Sequence, residues 1–288
     1  MTIASPQAPA SSPRPGLRRQ LGQAGVASLV TLALLLPLVL LDRPPARPQL
    51  TFFGGEDGLS VLLEGAGGGR VLVGGGDAQA DVPALLGRHL RPWDRRLDLL
   101  LVADARDLPG ATALVRAGDV RAVAVVGLDE ARASRAALTA LREACAARSV
   151  PSRVVDEAER IRVGRDAGDE GSLILEVAPA ASAGAGAGGG AVRLIAGRFS
   201  AIVWSGAPTV LGTSPGATIG AILTRGGQEA HRSALAASPS FVVAPGAPPA
   251  SSPASRDGHL LLVGPGERAT LLIEARGLRL RGPALRPL

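Results

Sequence analysis

The sequence predicts an α+β fold: an αββα sandwich of two sheets with helices outside, preceded by a single N-terminal transmembrane helix. Three observations carry this expectation. Short β-type runs recur in two blocks, separated by helix–strand alternation between residues 82 and 147, the pattern of layered sheets and helices. Leu97–Ala103 is a continuous apolar run broken only by Asp98, the mark of a strand buried on both faces. Ala24–Leu41 is the one uncharged stretch long enough to cross a bilayer, since a helix rises about 1.5 Å per residue and the hydrocarbon core is about 30 Å thick.

Residues 1–23 begin with an arm rich in Pro and Ser that cannot bury a core and read as a disordered cytoplasmic segment. Residues 24–41 follow as the membrane helix, with Pro37 inside it; membrane helices tolerate such a proline. The run is longer than a signal-peptide core and ends in Asp42-Arg43-Pro44-Pro45-Ala46-Arg47-Pro48 without a small-residue cleavage pattern, so it reads as an uncleaved anchor. Arg14, Arg18 and Arg19 precede it and Arg43 and Arg47 follow, Arg43 beside Asp42, which orients the N-terminus inside and the C-terminal domain outside the cell membrane. Residues 42–49 are a Pro-rich linker, and one domain occupies 50–288.

Within that domain, strands are expected at Leu50–Phe53, Leu59–Leu63 and Arg70–Val73, the last two joined as a hairpin by Glu64-Gly65-Ala66-Gly67-Gly68-Gly69. A helix at Val82–Leu90, the strand Leu97–Ala103, a helix at Gly110–Ala117, a strand at Ala122–Val126 and a helix at Asp129–Ala147 follow. Further strands fit Arg153–Val155, Leu173–Val177, Val192–Ala196, Ala201–Trp204, Ala221–Thr224 and Phe241–Ala244, with a helix at Gln228–Ala237. His259–Val263 and Thr270–Glu274 read as a closing hairpin. Ala180–Gly190 and the Pro/Ala/Ser-rich 245–255 region read as flexible loops.

Composition excludes several classes. A single Cys145 excludes a disulfide scaffold. Only His89, His231 and His259 could supply imidazole ligands. The chain has neither Lys nor Asn, so all 31 basic residues are Arg, and the net charge of +6 is modest for 288 residues. Arginine stays protonated where lysine titrates, so a pI near 11.2 overstates the basic character. No G-x-S-x-G elbow is present, and the glycine-rich stretches lack the Gly-Lys-Ser/Thr ending of a phosphate loop. With 2% aromatic residues and no Tyr, a base-stacking platform is poorly supplied. Cys145, beside Leu141 on one helix face, reads as a small buried residue.

Four segments carry a resemblance. Gly58-Leu59-Ser60-Val61-Leu62-Leu63, Arg70-Val71-Leu72-Val73-Gly74-Gly75-Gly76, Pro92-Trp93-Asp94-Arg95-Arg96-Leu97-Asp98-Leu99-Leu100-Leu101-Val102 and Arg198-Phe199-Ser200-Ala201-Ile202-Val203-Trp204-Ser205-Gly206 resemble, in order and spacing, strands of metallo-β-lactamase-fold proteins. Among these, the segments resemble the C-terminal domain of bacterial ComEC-type competence (DNA-uptake) proteins. The resemblance implies an αββα sandwich and a zinc pair held by an H-x-H-x-D-H motif, two further His and a bridging Asp. That motif falls on Ala103, Ala105, Asp107 and Leu108, so only Asp107 keeps a ligand. The bridging Asp becomes Ala207, the Asp of Val-Asp-Gly-Gly becomes Gly74, and the later His-His-Gly turn becomes Arg225-Gly226-Gly227.

These residues lead to an expectation of no catalytic site, no cofactor and no small-molecule substrate: a membrane-anchored pseudoenzyme acting as a binding or scaffold module for an unknown protein partner. Two alternatives are weighed beside it. Asp104, Asp107 and His231 could hold a divalent cation in a divergent phosphodiesterase or nuclease, although two carboxylates three residues apart before Pro109 also suit a helix start. Arg95, Arg96, Arg106 and Arg225 could instead touch extracellular DNA or another polyanion. His89 and His259 are expected to be surface or packing histidines. The many-helix channel of DNA-uptake proteins is missing, so the chain alone is not expected to transport DNA.

Overall fold

A computed structural model of the chain describes residues 48–55, 58–76, 82–90, 94–118, 120–127, 135–164, 173–179, 190–196, 199–204, 218–223, 241–245, 259–264, 267–274, 277–281 and 286–287. The chain divides between Arg43 and Pro44, and all of these residues belong to the second unit, Pro44–Leu288. The expected membrane helix 24–41, the helix 228–237, and the loops 180–189 and 246–255 lie outside the described residues. No helix among the described residues is long and apolar enough to cross a membrane.

The architecture is α+β, with two eight-stranded mixed sheets and three α-helices among the described residues. The first sheet has the order β15(Gly277–Arg281), β14(Arg268–Glu274), β1(Gln49–Gly54), β2(Leu59–Glu64), β3(Arg70–Val73), β4(Leu99–Val102), β5(Val123–Val126), β6(Ser152–Val155). Its strands run antiparallel from β15 to β3 and parallel from β3 to β6. The second sheet has the order β16(Arg286–Pro287), β13(His259–Val263), β12(Phe241–Pro245), β11(Thr218–Leu223), β10(Phe199–Trp204), β9(Gly190–Ala196), β8(Leu173–Pro179), β7(Glu159–Val163). It repeats the scheme: β7 to β10 are antiparallel and β10 to β13 parallel.

Strand alternation sorts the first sheet's side chains onto two faces. Leu50, Phe52, Val61, Leu63, Val71, Val73, Leu99, Leu101, Ala124 and Val126 meet Leu175, Val177, Val192, Leu194, Ala201, Val203 and Val243 of the second sheet in one core. On the opposite face Phe53, Leu62, Leu72, Leu100, Val102, Val123 and Val125 pack against α1(Val82–His89), α2(Leu108–Ala117) and α3(Arg135–Ala147). Both faces of β4 are therefore apolar, which is why its sequence is an unbroken Leu99-Leu100-Leu101-Val102. A helix layer, a sheet and a second sheet follow one another.

The glycine-rich hairpin forms as the sequence implies: β2 and β3 pair antiparallel with Glu64 opposite Arg70. Gly65 N donates to Gly69 O at 2.8 Å, and Gly68 takes φ +82°, a left-handed conformation that costs glycine nothing. The helix α2 begins two residues earlier than expected because Pro109 occupies its first turn, where a missing N–H has no partner to lose. Gly118, at φ +90°, closes it.

The expected closing hairpin is corrected. His259–Val263 and Thr270–Glu274 do not pair: β13 lies parallel to β12 in the second sheet, whereas β14 pairs with β1 and β15 in the first. The hairpin is β14–β15, and Gly264–Arg268 carries the chain from sheet to sheet. The tight approach of Gly54 and Gly264 marks this crossing, because a Cβ at Gly54 would lie 2.0 Å from Gly264 O. The strands β7, β15 and β16 are additional to the expected set. In Glu159-Arg160-Ile161-Arg162-Val163 exposed arginines alternate with Ile161 and Val163, so β7 does not stand out as an apolar run.

Candidate functional site

The parallel strands β3, β4 and β5 end side by side, and their carboxyl ends are where open sheets of this kind usually place ligands. After β3 comes Gly74-Gly75-Gly76, with Gly74 at φ +83° and Gly76 at φ +73°. After β4 comes Ala103-Asp104 and a single 3-10 turn, Ala105–Asp107, that runs directly into α2. The two segments are locked together. Gly74 N donates to Leu101 O at 2.9 Å. A Cβ on Gly75 would lie 2.4 Å from Asp107 O, and one on Gly110 would lie 2.0 Å from Gly75 O. Backbone meets backbone there with no room for side chains.

Asp104 caps the 3-10 turn: its Oδ1 accepts from Arg106 N at 2.8 Å. Asp107 stands at the N-cap of α2 without a side-chain cap bond, and its Oδ2 lies 3.5 Å from where a Cβ of Gly74 would be. Both carboxylates are buried and both have further interactions within the fold. The structure thus brings Asp104 and Asp107 together, in the helix-start role weighed against a metal role. Ala103 and Leu108 are apolar and fully enclosed, and Ala105 packs at the edge of the helix-side core.

The zinc pair implied by the resemblance does not fit these residues. Zinc takes three or four N, O or S donors, and the turn offers two carboxylates, one of which is spent on a backbone cap. Among the described residues no group of three or more His, Cys, Asp or Glu gathers to hold a metal. His231, Ala207 and Arg225 lie outside the described residues.

Of the arginines singled out for a polyanion, Arg95, Arg96 and Arg106 are exposed. They do not converge. Arg95 and Arg96 precede β4, Arg95 lying over Gly87 of α1, whereas Arg106 follows the opposite end of the strand. Four strand residues and their flanks separate them, on the order of 15–25 Å at about 3.3 Å per residue. Cys145 is buried against α2 and β5 as expected, and burial pushes its thiol up despite a hydrogen bond with Ser152.

A second polar cluster, which reading the sequence missed, lies at the other end of β2 and β3. Glu64 is buried and accepts from Arg70 Nε at 3.0 Å, from His89 Nε2 at 3.1 Å and from Gln49. Arg70 also reaches Asp94 Oδ2 at 2.8 Å and donates to Asp94 O at 2.9 Å. Burial raises the Glu64 carboxyl, but the His89 and Gln49 bonds, the charge His89 carries when protonated and the charge of Arg70 more than offset it, holding Glu64 below the usual carboxylate range. Burial likewise opposes the charge of Arg70, and Asp94 and Glu64 outweigh it in the upward direction. The signal was available: a short hairpin places its flanking residues opposite each other, so Glu64 and Arg70 had to meet.

The fold and this turn define an α+β protein of helix–sheet–sheet layers whose strand-end site is closed by glycine and alanine. No family model matches the chain, and no curated protein matches it in sequence.

Proposed function

We propose that the chain is a membrane-anchored, non-catalytic module on a metallo-β-lactamase-like αββα sandwich, similar to the C-terminal domain of ComEC-type proteins, and that it binds a protein partner outside the membrane. The observation that carries this reading is the chemistry of the strand-end turn. Positions 74, 103, 105 and 108, assigned to ligand motifs by the resemblance, are Gly, Ala, Ala and Leu, and Asp107 alone could donate. Gly74 and Asp107 come from separate motifs and lie side by side, which supports aligning both motifs with one former site. The two sheets with their repeated antiparallel-then-parallel order support the sandwich.

A metal hydroxide would need donors that this turn lacks, so no hydrolytic step is assigned to it. The apolar run 24–41 supports the anchor, and the excess of arginine before it supports an outward-facing domain. The test is cysteine labelling in intact cells, with one cysteine placed at Arg153 in a Cys145→Ala background. Labelling by a membrane-impermeant maleimide supports the outward domain; labelling only after lysis overturns the topology.

A further inference from the structure

The cluster around Glu64 is a chain of charges with one neutral link. Asp94, Arg70 and Glu64 alternate in sign at 2.8 and 3.0 Å. Next comes His89, at the C-terminal end of α1, with Nε2 3.1 Å from Glu64 Oε2 and 3.4 Å from Thr51 Oγ1. Its other nitrogen, Nδ1, lies 3.2 Å from Arg268 Nη1 on β14. The ring stands edge-on to Phe53, with centroids 5.7 Å apart and planes at 77°, and a flip would set ring carbons against Glu64 and Arg268 in place of both nitrogens. A guanidinium has donors and no acceptor. Nδ1 must therefore accept from Arg268, and the proton sits on Nε2, donated to Glu64.

We propose that His89 is a proton-operated clasp: neutral, it ties α1 to both β2 and β14; protonated, it keeps Glu64 and releases Arg268. A second proton could go only onto Nδ1, where it would face the Arg268 guanidinium, replacing an attraction with a clash of like charges. The Nε2–H bond to Glu64 would become charge-assisted and strengthen. The groups facing the ring settle which arm gives way. Glu64 on β2 is buried and fixed by Arg70 of β3, which Asp94 anchors in turn. Arg268 is exposed and free to swing into solvent, and its neighbour Glu267 is engaged with Gly264 N at 2.9 Å. Thr51, which faces Nε2, bonds Thr270 at 3.2 Å, and both are uncharged. Arg268 sits on β14, which pairs with β1 and the edge strand β15, so the arm released is the side-chain tie between α1 and this part of the sheet.

The experiment uses the full chain in detergent micelles, labelled with ¹⁵N-histidine, with the His89 signals assigned by their loss in His89→Asn. At pH 8 the ring is expected as the neutral Nε2–H tautomer; an Nδ1–H tautomer or an imidazolium at that pH overturns the clasp. Amide hydrogen exchange across Arg268–Glu274, corrected for intrinsic rates, is then compared at pH 8 and pH 5.5. Protection is expected to fall roughly fivefold on acidification, the worth of one hydrogen bond. In Arg268→Gln the step should vanish, because an amide can donate to the neutral ring and accept from the charged one. A step of equal size in that variant, or no step in the parent, overturns the proposal.

Discussion

At the scale of single residues, Glu64 is the most consequential side chain described. It is a buried carboxylate whose charge is matched by Arg70 and by a donor on His89. Removing one member of such a group leaves the others buried and uncompensated, so Glu64→Ala should cost about 3–5 kcal/mol in denaturant unfolding. Its carboxyl is held below the ordinary value of 4.5 in the folded chain. Stability from that shift is present above the unfolded value and is lost as pH falls through the folded one, so unfolding free energy should decline below about pH 4.5. Glu64→Gln should flatten that decline; an unchanged acid limb would show that other carboxylates set it. Asp104 has a smaller role. Its cap bond to Arg106 N predicts a loss of about 1 kcal/mol for Asp104→Ala, and a metal-independent loss is the signature of a cap.

At the scale of elements, the glycine turn after β3 and the start of α2 behave as one piece. A methyl group at Gly110 would meet Gly75 O at 2.0 Å, and backbone cannot move aside as a flexible side chain can. Gly110→Ala should therefore destabilise by about 1–3 kcal/mol or more. Gly87→Ala, in open contact with the end of the Arg95 side chain, should be neutral or stabilising, since alanine favours helix by about 1 kcal/mol. Equal losses at the two positions in thermal unfolding would contradict the close packing. Most elements were legible in the sequence because their apolar runs are short, dense and flanked by glycine or proline. Leu59–Glu64, between Gly58 and Gly65, and Arg70–Val73, between Gly69 and Gly74, are the clearest cases. The C-terminal pairing was not legible, because β13 and β14 are both apolar runs separated by a turn and nothing local says that the chain changes sheets between them. Likewise, β7 hides behind its exposed arginines.

At the scale of the whole molecule, the two sheets share one core. The fold depends on Leu63, Leu101, Leu175 and Leu194 meeting between the sheets, and not on the strand-end turn holding a metal. Truncating a fully enclosed member of this core, Leu101→Ala, should cost about 2–5 kcal/mol. The candidate site was partly legible: Asp104 and Asp107 could be placed before Pro109, and their role as a helix start follows from that proline. The separation of Arg95 and Arg96 from Arg106 was not, because the intervening Leu99–Val102 had first to be seen as one extended strand. The cluster of Glu64, Arg70 and His89 brings together residues from two strands and a helix, which only the register and packing reveal.

The most direct test of the non-catalytic reading is metal content, by elemental analysis of the full chain purified without chelator or affinity tag. The account predicts less than about 0.1 equivalent of zinc, manganese or iron per chain after dialysis, because a tight site needs a complete donor set. About one equivalent or more, lost together with Asp107→Ala, would contradict it and restore the strand-end turn as a metal centre.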